Sequence, residues 1–387
     1  MSDKTLRVLQ IGDWEFGKNG IATLIYNFNQ NLDIEKIIFD YVVPNKVNES
    51  YYKKNIENKK GKIYELKISK TGINKKILYF FKLIKFLKNN RYEIVHINES
   101  TAHMMLYYSI ICKIVGIKNI ILHSHSSGFD SNKREIKLVI HKIAKILLPL
   151  FTKDYLACSS IAARWTFLEK YLNKVVIINN GIDIEKFKFN LDKRNEIRKE
   201  LRLENNFILG HVGRMSYQKN HNFLIDLFTE VKKEIPESKL LLIGTGVLES
   251  ELKRKVINLG LEEDILFLGI KNNVNDYLQA MDIFLLPSHF EGLPVVGIEA
   301  QTSGLFCLFS QNISKEVIVT NRTFLLPIIN KKLWLEKIKS IKSNLTLNYF
   351  LNQRKNYFLE MKNNDYDVKE STEKLMMLYI NLISSNN

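Results

Sequence analysis

At 387 residues, 45% of them hydrophobic and 25% charged, the chain is too long for one ordinary core and too apolar to be disordered, so two domains of roughly 150–200 residues are expected. The net charge of +16 is localised: residues 51–150 carry 20 Lys and Arg against 6 Asp and Glu, and the remainder nearly cancels. Three scattered cysteines, Cys112, Cys158 and Cys307, exclude a disulfide framework or a zinc module and fit buried thiols in a reducing compartment.

The first residues run straight into a strand pattern, with no signal-peptide signature, and no charge-free apolar run reaches the roughly 18 residues of a spanning helix. A cytoplasmic protein that does not cross a membrane is expected. Strands are predicted at Arg7–Ile11, Ile37–Val43, Lys62–Leu66, Ile94–Ile97, Ile120–His123, Asp154–Ala157 and Val175–Ile178. The second half restarts with Phe207–Val212, Leu240–Ile243, Ile265–Leu268, Ile283–Leu286 and Phe306–Phe309. Helical patterns fill the intervals, among them Ile21–Asn31, Asn74–Asn89, Asn220–Glu234 and Leu248–Asn258. Two successive βα series read as two Rossmann-like domains with parallel sheets. The expected division is 1–180 and 181–365, at the turn-rich Asn179-Asn180-Gly181-Ile182-Asp183. The helical tail, about 366–387, is expected to pack back on the first domain.

Chemistry-bearing residues recur where strands end. Gly12–Ile21 is a glycine turn in which Gly20 opens a helix and allows close backbone approach to a ligand; its spacing is not that of a dinucleotide fingerprint. Two basic amphipathic helices follow. In one, Ile77, Phe80, Phe81, Ile84 and Leu87 form the apolar face; in the other, Ile136, Val139, Ile140, Ile143 and Leu147 do. The ordinary expectation is that these faces cover their own sheet and the lysines face outward. In Ile120–Gly128, His123 and His125 lie on one side of a strand end, where one is a structural histidine and the other contacts substrate. A metal pair there lacks a third ligand of suitable spacing.

In the second half, Val212-Gly213-Arg214 runs through a turn to Gln218-Lys219-Asn220, placing a guanidinium and an ammonium before a helix for which Asn220 is an N-cap candidate. Gly244-Thr245-Gly246 ends the next strand. Behind Ile283–Pro287 stand two acids with seven residues between them, Glu291 and Glu299, around Gly292, Leu293 and Pro294, with Pro294 expected just inside a helix start. Such a turn aims backbone N–H groups at phosphate while the acids accept from hydroxyls. A sugar nucleotide has that chemistry. Each constellation alone is equally compatible with a solvated loop.

Together these residues resemble the retaining glycosyltransferases of family four, which have the GT-B fold. Glu291-Gly292-Leu293-Pro294 through Glu299 is similar to that family's E-x7-E signature, Gly213-Arg214 with Lys219-Asn220 to its phosphate element, and Asn180-Gly181-Ile182-Asp183 with Phe187 to its hinge segment. The His-Ser-His strand end and Ala157-Cys158-Ser159 resemble members that build capsular or exopolysaccharides. The resemblance implies that Arg214 and Lys219 hold the donor diphosphate and that Glu299 binds the ribose. Glu291 and the amides of Gly292 and Leu293 would hold the sugar, with Gly20, Gly213, Gly244 and Pro294 shaping the donor site. His125 best matches the cleft histidine, although His123 takes the place of the small polar residue before it. In the family's glycine turn a second glycine is followed by a small residue and an acid; Gly20 keeps the glycine, but Ile21-Ala22 follows and the acid is missing. The implied reaction is sugar transfer with retention, without cofactor or metal, from a nucleotide sugar, expected to be a UDP-sugar, to a glycan or polyprenyl-diphosphate-linked acceptor. The implied location is the inner face of the membrane, where the basic region meets an anionic membrane surface.

Two rivals remain at this level. The basic region also suits nucleic acid, though no nucleic-acid partner is expected once the donor motifs are considered. A dehydrogenase or epimerase would need the dinucleotide fingerprint that the first strand lacks.

Overall fold

The structure, a computed structural model, describes residues 5–12, 20–47, 50–68, 72–128, 134–345, 347–364 and 366–384. Most of the first glycine turn, 13–19, lies outside the described residues. The chain divides into two compact units, Met1–Gly181 with Val368–Asn387, and Ile182–Asp367.

The first unit is built on seven strands: β1 (Leu6–Gly12), β2 (Ile37–Val43), β3 (Ile63–Glu65), β4 (Ile94–Glu99), β5 (Asn119–Ser124), β6 (Asp154–Ala157) and β7 (Val175–Ile177). All pairings are parallel, in the order β3-β2-β1-β4-β5-β6-β7. The continuous Ile/Val/Leu runs follow from burial on both faces of such a sheet. Helices α1 (Gly20–Asn31), α2 (Ser50–Asn58), α3 (Gly72–Asn89), α4 (Ala102–Ile114), α5 (Arg134–Leu147) and α6 (Ser160–Thr166) make the crossovers. Ile25 and Phe28 of α1 pack with Phe39 and Tyr41 of β2 and with Leu375, Met376 and Tyr379 of the C-terminal helix, Val368–Ser384. That helix is the last element of the chain and completes the first core.

The apolar face of α5 does not turn inward as expected, and that of α3 does so only in part. Tyr79, Leu83, Phe86 and Leu87 are the buried residues of α3 and Phe80 and Ile84 are partly buried, whereas Ile77 and Phe81 are exposed. On α5 the inward face is His141 and Ala144, with Leu148 just beyond the helix; Ile136, Val139, Ile140, Ile143 and Leu147 point to solvent. Hydrophobic periodicity locates a stripe but not the surface it meets, and here a histidine and an alanine take the interior.

The second unit carries β8 (Phe207–Val212), β9 (Ser238–Ile243), β10 (Ile265–Gly269), β11 (Ile283–Leu286), β12 (Phe306–Ser310) and β13 (Thr323–Leu326), all parallel, in the order β10-β9-β8-β11-β12-β13. β13 was not predicted; its partly exposed edge position and the Pro327 behind it give a weak strand signal. The helices are α7 (Ile184–Phe187), α8 (Leu191–Leu201), α9 (His221–Glu234), α10 (Glu249–Asn258), α11 (Val274–Ala280), α12 (Val295–Thr302), α13 (Lys331–Asn344) and α14 (Leu347–Lys362). A buried polar knot ties α8 and α14 to the end of α11. Arg194 and Arg198 donate to Asp282 at 2.6 and 2.8 Å, and Arg354 donates to the carbonyls of Leu278, Gln279, Met281 and Ser303. Three guanidiniums thus satisfy a helix C-terminus whose carbonyls would otherwise be buried without partners.

Among the described residues no helix is long and apolar enough to cross a membrane. Cys112, Cys158 and Cys307 are buried and unbridged, and burial pushes the Cys112 thiol up to about 12.

Candidate functional site

In the second sheet the strand order reverses between β8 and β11, which pair through Ile283↔Leu209 and Phe284↔Gly210. A crevice outside the carboxyl ends of strands at such a reversal is where open α/β sheets take ligands. The two loops leaving these strands are zipped together. Gln218 accepts from the His289 N–H at 2.8 Å and its Nε2 donates to the Phe290 carbonyl at 3.1 Å. Asn220 donates to the Pro287 carbonyl at 3.2 Å, and the Tyr217 and His289 rings stack at 4.4 Å. Asn220 stands at the N-cap position of α9 but in a left-handed conformation (φ 55°), and its side chain makes no cap bond. The amide crosses to the neighbouring loop instead.

This zipper brings two predicted residues into direct contact. Lys219 Nζ lies 2.7 Å from Glu291 Oε1, while Gln218 Nε2 donates to Glu291 Oε2 at 3.0 Å. Glu291 is buried and Lys219 partly so. Arg214 is exposed on the rim of the same loop. Close packing of glycines lets the loops approach: Gly244 has φ +126°, and a Cβ there would sit 2.2 Å from the Gly213 carbonyl oxygen. A Cβ on Gly213 would in turn meet His211 Nε2 at 2.9 Å and the Lys219 side chain at 3.1 Å. A side chain at Gly244 would push the Gly213 backbone aside, and one at Gly213 would press on His211 and Lys219 of its own strand and loop.

Gly292, Leu293 and Pro294 are buried and lead into α12. Pro294 occupies the position just before the helix rather than its first turn, and its carbonyl accepts the first helical bond from Gly297 at 2.9 Å. Glu299 lies on the second turn. Burial pushes its carboxyl up to about 7, against the pull of Lys186 and Lys219. At neutral pH it is therefore divided between an acceptor carboxylate and a donor acid. Sequence reasoning singled out neither Lys186, on α7, nor Gln218; both sit inside quoted motifs, but nothing in their type or spacing marks a role.

The first sheet reverses at β1 and β4, paired through Gln10↔His96 and Gly12↔Asn98. Here the polar series runs through uncharged side chains, with one buried acid, Glu99, at the end of β4. His125, just beyond β5, is buried; its Nε2 meets Asn98 Oδ1 at 3.1 Å, and Asn98 Nδ2 donates to Gln10 Oε1 at 2.9 Å. Gln10 Nε2 reaches Tyr379 of the C-terminal helix at 3.4 Å, and the Tyr379 hydroxyl lies 2.6 Å from His96 Nδ1. Because the Asn98 amide donates to Gln10, its oxygen faces His125, which fixes Nε2–H as the donor and leaves Nδ1 as an acceptor without a partner among the described residues. Burial drops His125 to about 3, and burial also holds His96 and His123 well below the usual imidazole range. His123 stacks on His96 at 5.3 Å and contacts His125 at 4.0 Å. Only Asn98, among the partners of His125, follows directly on a predicted strand; Gln10 and Tyr379 carry no sequence signal for this role. Gly20 is the exposed first residue of α1. Among the described residues, no three His, Cys, Asp or Glu side chains gather as a metal-binding group.

Residues 192–356 match the model of a family described as Glycosyl transferases group 1. The chain is 27% identical over 309 residues to the UDP-Gal:alpha-D-GlcNAc-diphosphoundecaprenol alpha-1,3-galactosyltransferase of Escherichia coli, covering 78% of each chain. It is 28% identical over 320 residues to the capsular polysaccharide biosynthesis glycosyltransferase CapH of Staphylococcus aureus, covering 79% of this chain and 82% of that one. The fold is similar to that of Anabaena Alr3699/HepE, solved in complex with UDP and glucose, with a TM-score of 0.78 at 16% identity over 97% of this chain and 99% of that one. The loops zipped at the β8/β11 reversal fall within the matched region, so the candidate site lies in a stretch, residues 192–356, that is similar to the group 1 glycosyl transferase domain.

Proposed function

We propose that this glycosyltransferase moves a sugar from a UDP-sugar to a lipid-linked glycan acceptor, with retention of anomeric configuration and without a metal ion. The observation that carries the reading is the Lys219–Glu291 pair at 2.7 Å, held by Gln218 where the loops after β8 and β11 meet. An ammonium and a carboxylate locked side by side offer one group to a diphosphate and one to a sugar hydroxyl. The E. coli and S. aureus relatives, named for a UDP-galactose donor with a diphosphoundecaprenol acceptor and for capsule synthesis, support the choice of substrates.

In this reading Arg214 and Lys219, with the N-terminus of α12, stabilise charge gathering on the departing diphosphate. The bond from the anomeric carbon to the phosphate oxygen breaks, and the bond to the acceptor oxygen forms on the same face. The acceptor proton passes to the leaving phosphate oxygen, so no enzymic nucleophile is needed. Glu291 orients the sugar and Glu299 accepts from the ribose. The protein works as a peripheral protein on the inner face of the membrane, where its acceptor is anchored and its basic region meets anionic lipid.

The test is transfer from a panel of UDP-sugars to a diphosphoundecaprenol-linked saccharide, with and without a chelator, reading the product's anomeric configuration by NMR. An axial linkage from an axial donor, at a rate the chelator does not change, is the expected result. Inversion, or loss of the reaction on chelation, rejects the mechanism.

A further inference from the structure

Helix α5 presents to solvent the side that an amphipathic helix ordinarily hides. Its inner side is fixed: Ala102 N–H donates to His141 Nδ1 at 3.2 Å, His141 Nε2 meets the Trp165 carbonyl at 2.8 Å, and Ala144 and Leu148 are buried beside it. The rotation of the helix is therefore set by specific bonds. Opposite them, Ile136, Val139, Ile140, Ile143 and Leu147 are 66%, 58%, 48%, 54% and 38% exposed, and Leu150 beyond the helix is 71% exposed. At 3.6 residues per turn these side chains share an arc of about 100°. Exposed Lys137 and Lys142 stand on its two flanks. The apolar surface continues sideways: Ile140 and Ile143 line a shallow pocket of about 280 Å³ with Leu106, Tyr107 and Ile110 of α4. On α3, next along, Ile77 and Phe81 are 52% and 63% exposed.

Contiguous exposed aliphatic surface of this kind marks an interface. The charge around it selects the occupant. Residues 51–150 hold 20 cations against 6 anions, so a second copy apposed through the same face would set lysines against lysines. Nucleic acid would satisfy the lysines but leave the isoleucines in water. An anionic bilayer satisfies both, with headgroups for the ammonium groups and acyl chains for the stripe.

We propose that α5 lies in the plane of an anionic lipid bilayer, its Ile136–Leu147 stripe inserted into the acyl boundary and Lys137 and Lys142 on the headgroups. This deepens the peripheral-membrane reading above and rests on it for its biological setting. It adds that insertion of one named helix face, beyond diffuse charge attraction, holds the protein.

The test is flotation of the full chain with vesicles of equal parts phosphatidylglycerol and phosphatidylcholine, and with phosphatidylcholine alone. The wild type is expected to float with the anionic vesicles. Ile140→Asp/Ile143→Asp should lower the partition constant by about tenfold or more. Lys137→Gln/Lys142→Gln should lower it several-fold at low salt, with little difference at high salt. Because the isoleucines are exposed, the melting temperature and its rise with UDP should be unchanged in both variants. Anionic-vesicle binding that survives Ile140→Asp/Ile143→Asp, absence of binding by the wild type, or a wild-type dimer that this variant dissociates would each overturn the proposal. UDP stabilisation keeps the two readings apart. Stabilisation without vesicle binding defeats the membrane surface alone, and vesicle binding without stabilisation by any nucleoside diphosphate defeats the donor assignment alone.

Discussion

The two sheets reverse strand order in the same way, yet the side chains gathered at the two reversals differ in their chemistry. At β8/β11 the structure collects charge: the Lys219–Glu291 pair, the exposed Arg214, and a Glu299 held near neutrality. At β1/β4 and the adjoining end of β5, apart from the buried Glu99, it collects uncharged groups, with His125, Asn98 and Gln10 in series and three imidazoles kept neutral by burial. Identical topology therefore fixes where a ligand edge lies, not what it recognises. The charged edge suits an anionic leaving group; the neutral edge suits hydroxyls, which need oriented donors and acceptors without the desolvation cost of a net charge.

Removing the charge should produce the largest effect. Lys219→Ala should lower transfer by about 10²–10³-fold, the usual cost of deleting one group that stabilises a developing anion. Glu291→Ala alone should also be severe. Because the two groups touch, the double variant should be less damaged than the sum, with a coupling of roughly 1–3 kcal/mol in a double-mutant cycle on kcat/KM. Strict additivity would mean that they act on different parts of the reaction.

The next test separates the edges by pH. Burial pushes the Glu299 carboxyl up to about 7 in the folded protein from its ordinary value of 4.5, so the unfolded chain releases this proton first as pH rises. Its contribution is therefore most favourable below about pH 4.5, is lost progressively up to about 7, and is flat above. Chemical denaturation should show a decline across that window of the order of 2–3 kcal/mol. Glu299→Gln should flatten it. His125, at about 3, carries no charge change above pH 5, so His125→Asn should leave the decline intact. A decline that persists in Glu299→Gln would place the titrating group elsewhere.

How much of this was legible in the sequence follows from which signals are local. All twelve predicted strands are present, because a parallel sheet buried on both faces writes itself as short apolar runs, as in Ile283–Leu286. β13 was missed because its edge position leaves it partly exposed. The donor motifs were legible because glycine, arginine, lysine and glutamate cluster within short loops. The Lys219–Glu291 contact was not, since it depends on β8 and β11 being neighbours across 70 or so residues. The Gln10–Asn98–His125 series was equally hidden, because each member belongs to a different strand end. The exposed face of α5 was misread because periodicity reports a stripe without saying which medium it faces.

A smaller effect is expected within the neutral edge. Asn98→Ala removes the acceptor that fixes the His125 tautomer, a loss of about 1–2 kcal/mol and so roughly a tenfold fall in transfer. Binding of UDP alone should be unaltered in calorimetry. Asn98→Asp sharpens the comparison further, because a carboxylate beside His125 raises the imidazole pKa from about 3. The rate profile should then gain an acid inflection that the wild type lacks. No new inflection would mean that His125 does not touch the reaction.

The smallest effect should come from Tyr379→Phe at the far end of the same series. The hydroxyl lies 2.6 Å from His96 Nδ1 but only reaches Gln10 at 3.4 Å. Its loss leaves a buried imidazole nitrogen unpaired, which costs about 1–2 kcal/mol and should lower the melting temperature by a few degrees. The Gln10–Asn98 bond at 2.9 Å remains, so the orientation of His125 should survive and transfer should stay within about twofold of wild type. A fall in rate matching that of Asn98→Ala would mean that the C-terminal helix governs the neutral edge through Gln10. An unchanged melting temperature would mean that water replaces the hydroxyl at His96.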